Sequence, residues 1–168
     1  MHTVTKLSPF DKRVKEALEL AEEVFLEFDA PLFPSFAKET FLGFLHSSKL
    51  KFALLTGSGA VYICTSEGRL AGMASVTNLR NRKEIHLSLA FVRGEFQRKG
   101  VGRALLDRIM SDFPRKNISV NAAPPGYDFY RSMGFEPLEM ETMVDGLIFT
   151  KMLLEAGNRK QEAGNGSL

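Results

Sequence analysis

The sequence contains a single cysteine, Cys64, and no tryptophan. One cysteine cannot build a disulfide framework, and no set of His, Cys and carboxylate residues has the spacing of a metal site. No apolar run is long enough to span a membrane, and the first ten residues, MHTVTKLSPF, lack the apolar core of a signal peptide. These absences predict a cytoplasmic protein with no bound metal, in which Cys64 is a buried small hydrophobe.

The sequence also lacks a large excess of charge of either sign. Its 22 Lys and Arg residues nearly balance its 20 Asp and Glu residues, which gives a formal net charge of +2. Such a balance argues against a general nucleic-acid binder, although basic residues can still cluster locally. The 168 residues are 44% hydrophobic, which is typical of one soluble domain with a real core. We expect that domain to span residues 1–155, followed by a flexible polar tail over residues 156–168.

The first half of the chain predicts two helices followed by strands. Ser8-Pro9 is a typical helix start, and apolar residues recur on one helical face to about residue 28. A second helix is predicted over about residues 35–46. The segment DAPLFP between them either lines a pocket for an acceptor substrate or packs on the sheet. From about residue 50 to 92 the pattern predicts strands in KFALLT, in AVYICTSEGRLAGMASVT with a hairpin at Glu67-Gly68, and in EIHLSLAFV.

The second half alternates helices with strands. A helix is predicted over about residues 100–113, then a strand NISVNA and a short helix PGYDFYRSM that Gly134 ends. A strand pair, FEPLEMETMV and LIFTKMLLE, turns at Asp145-Gly146. This order predicts an α/β or α+β sandwich with a mixed sheet.

The segment QRKGVGRALLDRIM, which begins at Gln97, places two glycines and several basic residues at the start of a helix. A strand, a glycine turn and a helix N-terminus together form a common anion site, because the first backbone N–H groups of the helix are free. A P-loop is excluded because Arg103-Ala104 follows the second glycine, and a dinucleotide fingerprint is excluded because Leu105 stands at the third glycine position. A basic surface turn without a ligand is the alternative.

The pattern that remains is [RQ]-x-x-G-x-[GA], formed by Gln97, Gly100 and Gly102. About thirty residues later stands FYRSMGF, residues 129–135, an aromatic pair on a short helix followed by Gly-Phe entering a strand. In both segments the chain resembles the GNAT superfamily of acyl-CoA N-acyltransferases. The resemblance implies a mixed, mostly antiparallel central sheet flanked by helices on both faces, in the order α-α-β-β-β-α-β-α-β-β.

The resemblance also implies the cofactor, acetyl-CoA, and the residues that bind it. The turn would hold its phosphates, and the strand that ends at Phe91-Val92 would hold its pantetheine and polarise the thioester carbonyl. The implied cofactor-binding residues are Phe91, Val92, Gln97, Arg98, Lys99, Gly100, Val101, Gly102 and Arg103.

Three residues are candidates for proton transfer. By resemblance, Tyr130 would protonate the departing thiolate; a packing role for its ring is the alternative. Glu84 and His86 lie two apart on one predicted strand and therefore share a face, so either could deprotonate an incoming ammonium. His86 occupies the position eleven residues before Gln97, where the family often has a glutamate base.

The sequence therefore predicts an N-acetyltransferase that moves an acetyl group from acetyl-CoA to a primary amine of a small molecule or peptide by direct attack. Partners other than that substrate are not expected, neither nucleic acid nor membrane, while a homodimer stays open. The alternatives are a non-catalytic acyl-CoA sensor or assembly module, and a nucleic-acid binder that uses the basic turn.

Overall fold

The structure, a computed structural model, describes residues 1–159. Its strands are β1 His2–Lys6, β2 Ala60–Ser66, β3 Arg69–Thr77, β4 Glu84–Val92, β5 Asn117–Ala122, β6 Glu136–Pro137, β7 Thr142–Val144 and β8 Leu147–Leu154. Its α-helices are α1 Arg13–Val24, α2 Ala37–Leu45, α3 Ser48–Thr56, α4 Val101–Asp112 and α5 Tyr127–Ser132. Within residues 1–159 no helix is both long and apolar enough to cross a bilayer.

The eight strands form one sheet in the order β1-β2-β3-β4-β5-β8-β6, with β7 paired to β8. Every pairing is antiparallel except that of β4 with β5. One apolar core lies between the sheet and α4 and α5, and a second lies between the opposite face and helices α1 to α3. The predicted fold class, a mostly antiparallel mixed sheet with helices on both faces, is confirmed.

A β-bulge in β4 changes which face its side chains occupy. Ser75 of β3 pairs with Leu89 but the next residue, Val76, pairs with Leu87, so Ser88 is the extra residue. Before the bulge Ile85 and Leu87 point into the core under α4; after it Leu89 and Phe91 point into the core under α1. The regular alternation of EIHLSLAFV predicts one face for all four residues, so the bulge divides that apolar stripe between two cores.

β4 and β5 separate beyond the bulge. Their parallel pairing runs from Glu84↔Asn117 to Leu87↔Val120 and stops there, although β4 continues to Val92 and β5 to Ala122. Each strand keeps its other neighbour, β3 and β8 respectively. The sheet therefore opens into a wedge at its centre, and unpaired backbone edges face that wedge.

Three local predictions are wrong. KFALLT belongs to helix α3, since Leu50 and Leu54 are buried one turn apart and Gly57, left-handed at φ 75°, ends the helix. The N-terminal residues form the edge strand β1, which the sequence did not reveal because five residues carry too little pattern. Helix α1 starts at Arg13 rather than at Ser8-Pro9, and the Asp11 carboxylate accepts the Arg13 backbone N–H at 2.9 Å.

The last two predicted strands are present, but the first of them is interrupted. FEPLEMETMV yields the two short strands β6 and β7, with residues 138–141 between them outside any strand. The turn at Asp145-Gly146 is as predicted, and both residues have positive φ. Beyond residue 155, Ala156–Asn158 forms a 3₁₀ turn, while residues 160–168 of the predicted tail lie outside the described part of the chain.

Candidate active site

Two cavities meet at the wedge between β4 and β5. The loop-side cavity, about 660 Å³, is bordered by the turn before α4 and by α5. The aromatic cavity, about 480 Å³, lies on the opposite face of the sheet against α1 and α2. Ala90, Phe91, Val92 and Tyr130 border both cavities. A ligand could therefore run from one face of the sheet to the other past these residues.

The turn from Gln97 to Gly100 leads into α4, whose first backbone amides face the loop-side cavity. Arg98 at φ 59° and Gly100 at φ 86° are both left-handed, and α4 begins immediately afterwards. The first N–H groups of a helix have no carbonyl one turn earlier, so those of Val101, Gly102 and Arg103 are available to an anion. The macrodipole of α4 and the guanidinium groups of Arg98 and Arg103 add positive potential.

Most of the predicted cofactor residues border this cavity; Lys99 does not. Its backbone carbonyl accepts a hydrogen bond from His2 Nε2 at 2.5 Å, and its ammonium lies 5.8 Å from the centre of the Phe96 ring. Gln97 borders the cavity, yet its side-chain amide donates to the Val92 carbonyl at 3.1 Å. These contacts tie the turn to the end of β4 and to the N-terminal strand.

His2 is a contact that the sequence did not indicate. Its Nδ1 lies 3.0 Å from Ser66 Oγ, while Nε2 faces the Lys99 carbonyl. Since a carbonyl only accepts, Nε2 carries a proton and donates it to the Lys99 carbonyl. The strand β1 thereby braces the turn before α4, an arrangement that no local motif encodes.

The residues present fit a phosphorylated cofactor with a long, narrow body. A Cβ built on Gly102 would lie 3.2 Å from Phe129 Cζ, so glycine keeps this first-turn amide open between the helix and the aromatic ring. The wedge then provides a channel lined by strand edges, in which an extended chain can pair with backbone groups. Free turn amides, basic side chains and a channel through the sheet match a nucleotide joined to an extended arm.

Tyr130 stands where the two cavities join. It is 7% exposed, and its ring packs against Phe129 and Phe135 with centroids 5.3 Å away in each case. Burial raises the pKa of the Tyr130 phenol, and the negative charge of Asp29 raises it further. The hydroxyl is therefore protonated at neutral pH, as a proton donor must be.

The two candidate bases are placed differently. His86 borders the aromatic cavity and its Nδ1 lies 2.9 Å from Ser119 Oγ, whereas Glu84, half-buried at the start of β4, borders neither cavity. Ser119 donates its own proton to the Ile85 carbonyl at 3.4 Å, so Nδ1 of His86 donates to Ser119 and Nε2 keeps a free lone pair. Burial lowers the pKa of His86, with Glu84 opposing that shift and Lys151 adding to it.

Asp29 is the site residue that the sequence did not single out. It ends a π-helical turn, Phe25–Asp29, that follows α1 directly, and it borders the aromatic cavity together with Phe33. The segment DAPLFP therefore does line this cavity. Burial raises the pKa of Asp29 to about 6. A π turn at the end of a helix has no sequence signature, although such turns are frequent at functional sites.

Two further predictions concern Cys64 and metal binding. Cys64 is fully buried in the core under α4, and burial raises the pKa of its thiol, so it is no nucleophile. Among residues 1–159 there is no group of three or more His, Cys, Asp or Glu residues that could hold a metal ion.

The sequence matches the family described as "Acetyltransferase (GNAT) domain" over residues 17–156. The chain belongs to the GNAT acetyltransferase family. Enzymes of this family take their acyl group from acetyl-CoA, which is accordingly the cofactor of this chain, and act on amine-bearing small molecules or proteins. No curated protein matches the chain in sequence.

Solved structures with this fold are distant in sequence. A PaiA N-acetyltransferase from Thermoplasma acidophilum, in complex with coenzyme A, is 16% identical with a TM-score of 0.69 and covers 92% of this chain and 99% of its own. The ribosomal-protein-S18-alanine N-acetyltransferase of Escherichia coli is 21% identical, with a TM-score of 0.59 and coverages of 96% and 97%. An aminoglycoside acetyltransferase from a soil metagenome is 20% identical, with a TM-score of 0.60 and coverages of 85% and 92%. The last two are named for different acceptors, a ribosomal protein and an aminoglycoside, so the shared fold does not identify the acceptor of this chain.

Proposed function

We propose that this chain is an N-acetyltransferase that transfers the acetyl group of acetyl-CoA directly to a primary amine of a small molecule or peptide. The observation that carries the proposal is the meeting of the two cavities at Tyr130. One cavity offers free helix N-terminal amides and arginines to phosphates. The other offers a carboxylate, an imidazole and an apolar wall to an amine.

Bound acetyl-CoA supplies a thioester whose acetyl group passes to the amine and whose sulfur leaves as a thiolate. The amides of Val101, Gly102 and Arg103, with Arg98 beside them, hold the phosphates at the turn. The open edge of β4 at Phe91 and Val92 orients the pantetheine and provides the Val92 N–H for the thioester oxygen, since the Phe91 N–H faces β3 in register with the Arg93 N–H that donates to the Ala71 carbonyl.

His86 takes a proton from the acceptor ammonium at Nε2, which frees the nitrogen lone pair for attack. Tyr130 donates the proton of its hydroxyl to the leaving thiolate, which can accept it near neutrality because the thiol has an ordinary pKa of about 8.5. The phenolate then takes up the proton that the acetylated nitrogen loses, and His86 releases its proton to solvent. Glu84 acts on His86 through its charge. No covalent enzyme intermediate is needed, in keeping with the buried Cys64.

The test is thiol release from acetyl-CoA across a panel of primary amines, with the acetylated product identified by mass spectrometry. We expect turnover that depends on the amine. Binding of acetyl-CoA without turnover of any amine would refute the enzymatic proposal and leave a CoA-binding sensor module. Salt-dependent binding to DNA fragments instead would point to the basic turn as a nucleic-acid contact.

A further inference from the structure

The aromatic cavity has an apolar wall with one ionised group to receive a cation. Six phenylalanines border it: Phe25, Phe33, Phe41, Phe44, Phe91 and Phe149. Phe25 stacks on Phe41 with ring centroids 3.8 Å apart, and Phe41 meets Phe91 edge to face at 5.7 Å. This wall has little polar surface with which to replace the water around a charged or hydroxylated substrate.

Asp29 is the sole carboxylate among the described residues that border this cavity, and no lysine or arginine borders it. Within residues 1–159 no side chain or backbone group donates a hydrogen bond to the Asp29 carboxylate, and no cation pairs with it. A carboxylate that is largely desolvated without a partner destabilises the fold. Its electrostatic effect on Tyr130 places it near the point where the two cavities join.

We infer that the acceptor is a monoamine with an apolar body, such as an arylalkylamine or alkylamine, whose ammonium pairs with Asp29 while its carbon skeleton packs on the phenylalanine wall. This inference rests on the proposed function and narrows its substrate class. The faces of the phenylalanine rings also favour a cation beside them.

The same groups argue against three other acceptor classes. A second ammonium, as in a polyamine or aminoglycoside, would be desolvated against phenyl rings with no second carboxylate to pair with. An amino acid would bring its own carboxylate near Asp29, and the cavity has no cation to receive it. Selectivity of this kind follows from unpaired charge more than from added contacts.

Ligand pairs that differ by one charged group test the inference on the unmodified protein. Calorimetry in the presence of saturating CoA compares hexylamine with 1,6-diaminohexane, and phenethylamine with phenylalanine. We expect each monoamine to bind at least about tenfold more tightly than its partner, since an unpaired buried charge costs that much or more. Equal or tighter binding of the diamine or the amino acid would overturn the inference.

Two variants test the role of Asp29. Asp29→Asn should weaken phenethylamine binding about 10- to 100-fold and leave acetyl-CoA binding unchanged, because the amide keeps the shape but loses the charge. Glu27→Gln is the matched control, since Glu27 is an exposed carboxylate of the same π-helical turn that borders neither cavity. Unchanged phenethylamine affinity in Asp29→Asn would contradict the assignment.

The outcomes also separate this inference from the proposed function. Monoamine binding without thiol release would leave the recognition site intact and refute catalysis. Thiol release with diamines or amino acids in preference to monoamines would retain catalysis and refute the recognition site. If no monoamine binds and affinity for acyl-CoA instead rises from acetyl to hexanoyl, the aromatic cavity holds the acyl chain, and the inference is wrong.

Discussion

Tyr130 is a core residue that also borders both cavities. Its ring is fixed by Phe129 and Phe135, and Gly126 lets it pack close, because a Cβ there would lie 3.1 Å from Tyr130 Cε2. Those contacts hold the phenol at the junction of the two cavities. Packing and proton donation are therefore both compatible with this position, and they can be separated by removing only the hydroxyl.

Tyr130→Phe should lower kcat about 10²- to 10⁴-fold while acetyl-CoA affinity stays nearly unchanged, because the ring is kept and the proton is lost. Steady-state kinetics on the best amine, with calorimetry for acetyl-CoA, measures both. Tyr127→Phe is the matched control, since Tyr127 lies on the same helix and borders neither cavity. Full kcat in Tyr130→Phe would make the tyrosine structural.

His86 predicts an acidic limb in the pH dependence of kcat/KM. A base must be neutral, and burial lowers the pKa of His86 from about 6.5, so activity should fall only below that pH. His86→Gln should remove this limb and lower kcat. Glu84→Gln should keep the limb but move it to lower pH, because the Glu84 charge raises the pKa of His86. If neither variant alters the profile, neither residue is the base.

The bulge in β4 and the turn before α4 are the elements that make the site. The bulge redirects Phe91 toward the aromatic cavity while His86 already faces it, so the imidazole and the phenylalanine wall lie on the same side. The turn needs a left-handed residue at Gly100 and an open amide at Gly102. Each feature depends on only a few residues, yet each positions groups contributed by several elements.

Gly102→Ala should weaken acetyl-CoA binding by about tenfold or more, because its methyl group would crowd both the first-turn amides and the Phe129 ring. Calorimetry measures the affinity. Gly43→Ala is the matched control: it adds the same methyl group to helix α2, where nothing lies within 4 Å of the new Cβ. That control should keep acetyl-CoA affinity and stabilise the fold by roughly 0.5–1 kcal/mol. Equal affinity in both variants would remove Gly102 from the phosphate site.

At the scale of the whole molecule, the site lies where the two apolar cores approach each other through the open sheet. Residues of α1, α2, β4, β5, α5 and β8 border the aromatic cavity, and β1 braces the turn that faces the loop-side cavity. A desolvated carboxylate in such a place should lower the stability of the whole domain, which makes Asp29 visible in unfolding experiments.

Asp29→Asn should stabilise the protein at pH 7.5 by roughly 1–3 kcal/mol, the upper value corresponding to full desolvation. The folded pKa of Asp29, about 6, lies above its unfolded value. Ionisation therefore costs stability as the pH rises from about 4 to about 6, and only in the wild type. Urea unfolding at pH 4 and 7.5 measures the difference between the two proteins, in which titration of His86 and Tyr130, the other ionisable groups of the cavity, cancels. A difference that does not change with pH would contradict the expectation.

The glycine turn before α4, the helix that carries Tyr130 and most strands could be predicted because their determinants are local. Gly100 and Gly102 by themselves indicate a turn and a helix start. The apolar runs of β2 and β3, separated by the turn at Glu67-Gly68, can be recognised without their partners. The strand prediction for KFALLT was wrong for the opposite reason. Six residues of mixed apolar sequence suit either a strand or a helix, and only the packing of Leu50 and Leu54 against the sheet selects the helix.

The sequence by itself determined the family, the cofactor and the glycine turn that precedes α4, because those depend on residues and backbone conformation encoded within a few positions. Tertiary structure alone decided which candidates meet. It placed Lys99 outside the loop-side cavity and set His86 rather than Glu84 beside the aromatic cavity. It also brought Asp29, at the end of the π-helical turn after α1, to the neighbourhood of Tyr130, about a hundred residues away in the chain. The physical reason is that a β-bulge, a π-helical turn and the separation of two parallel strands arise from packing between distant segments, and no single segment carries their signature.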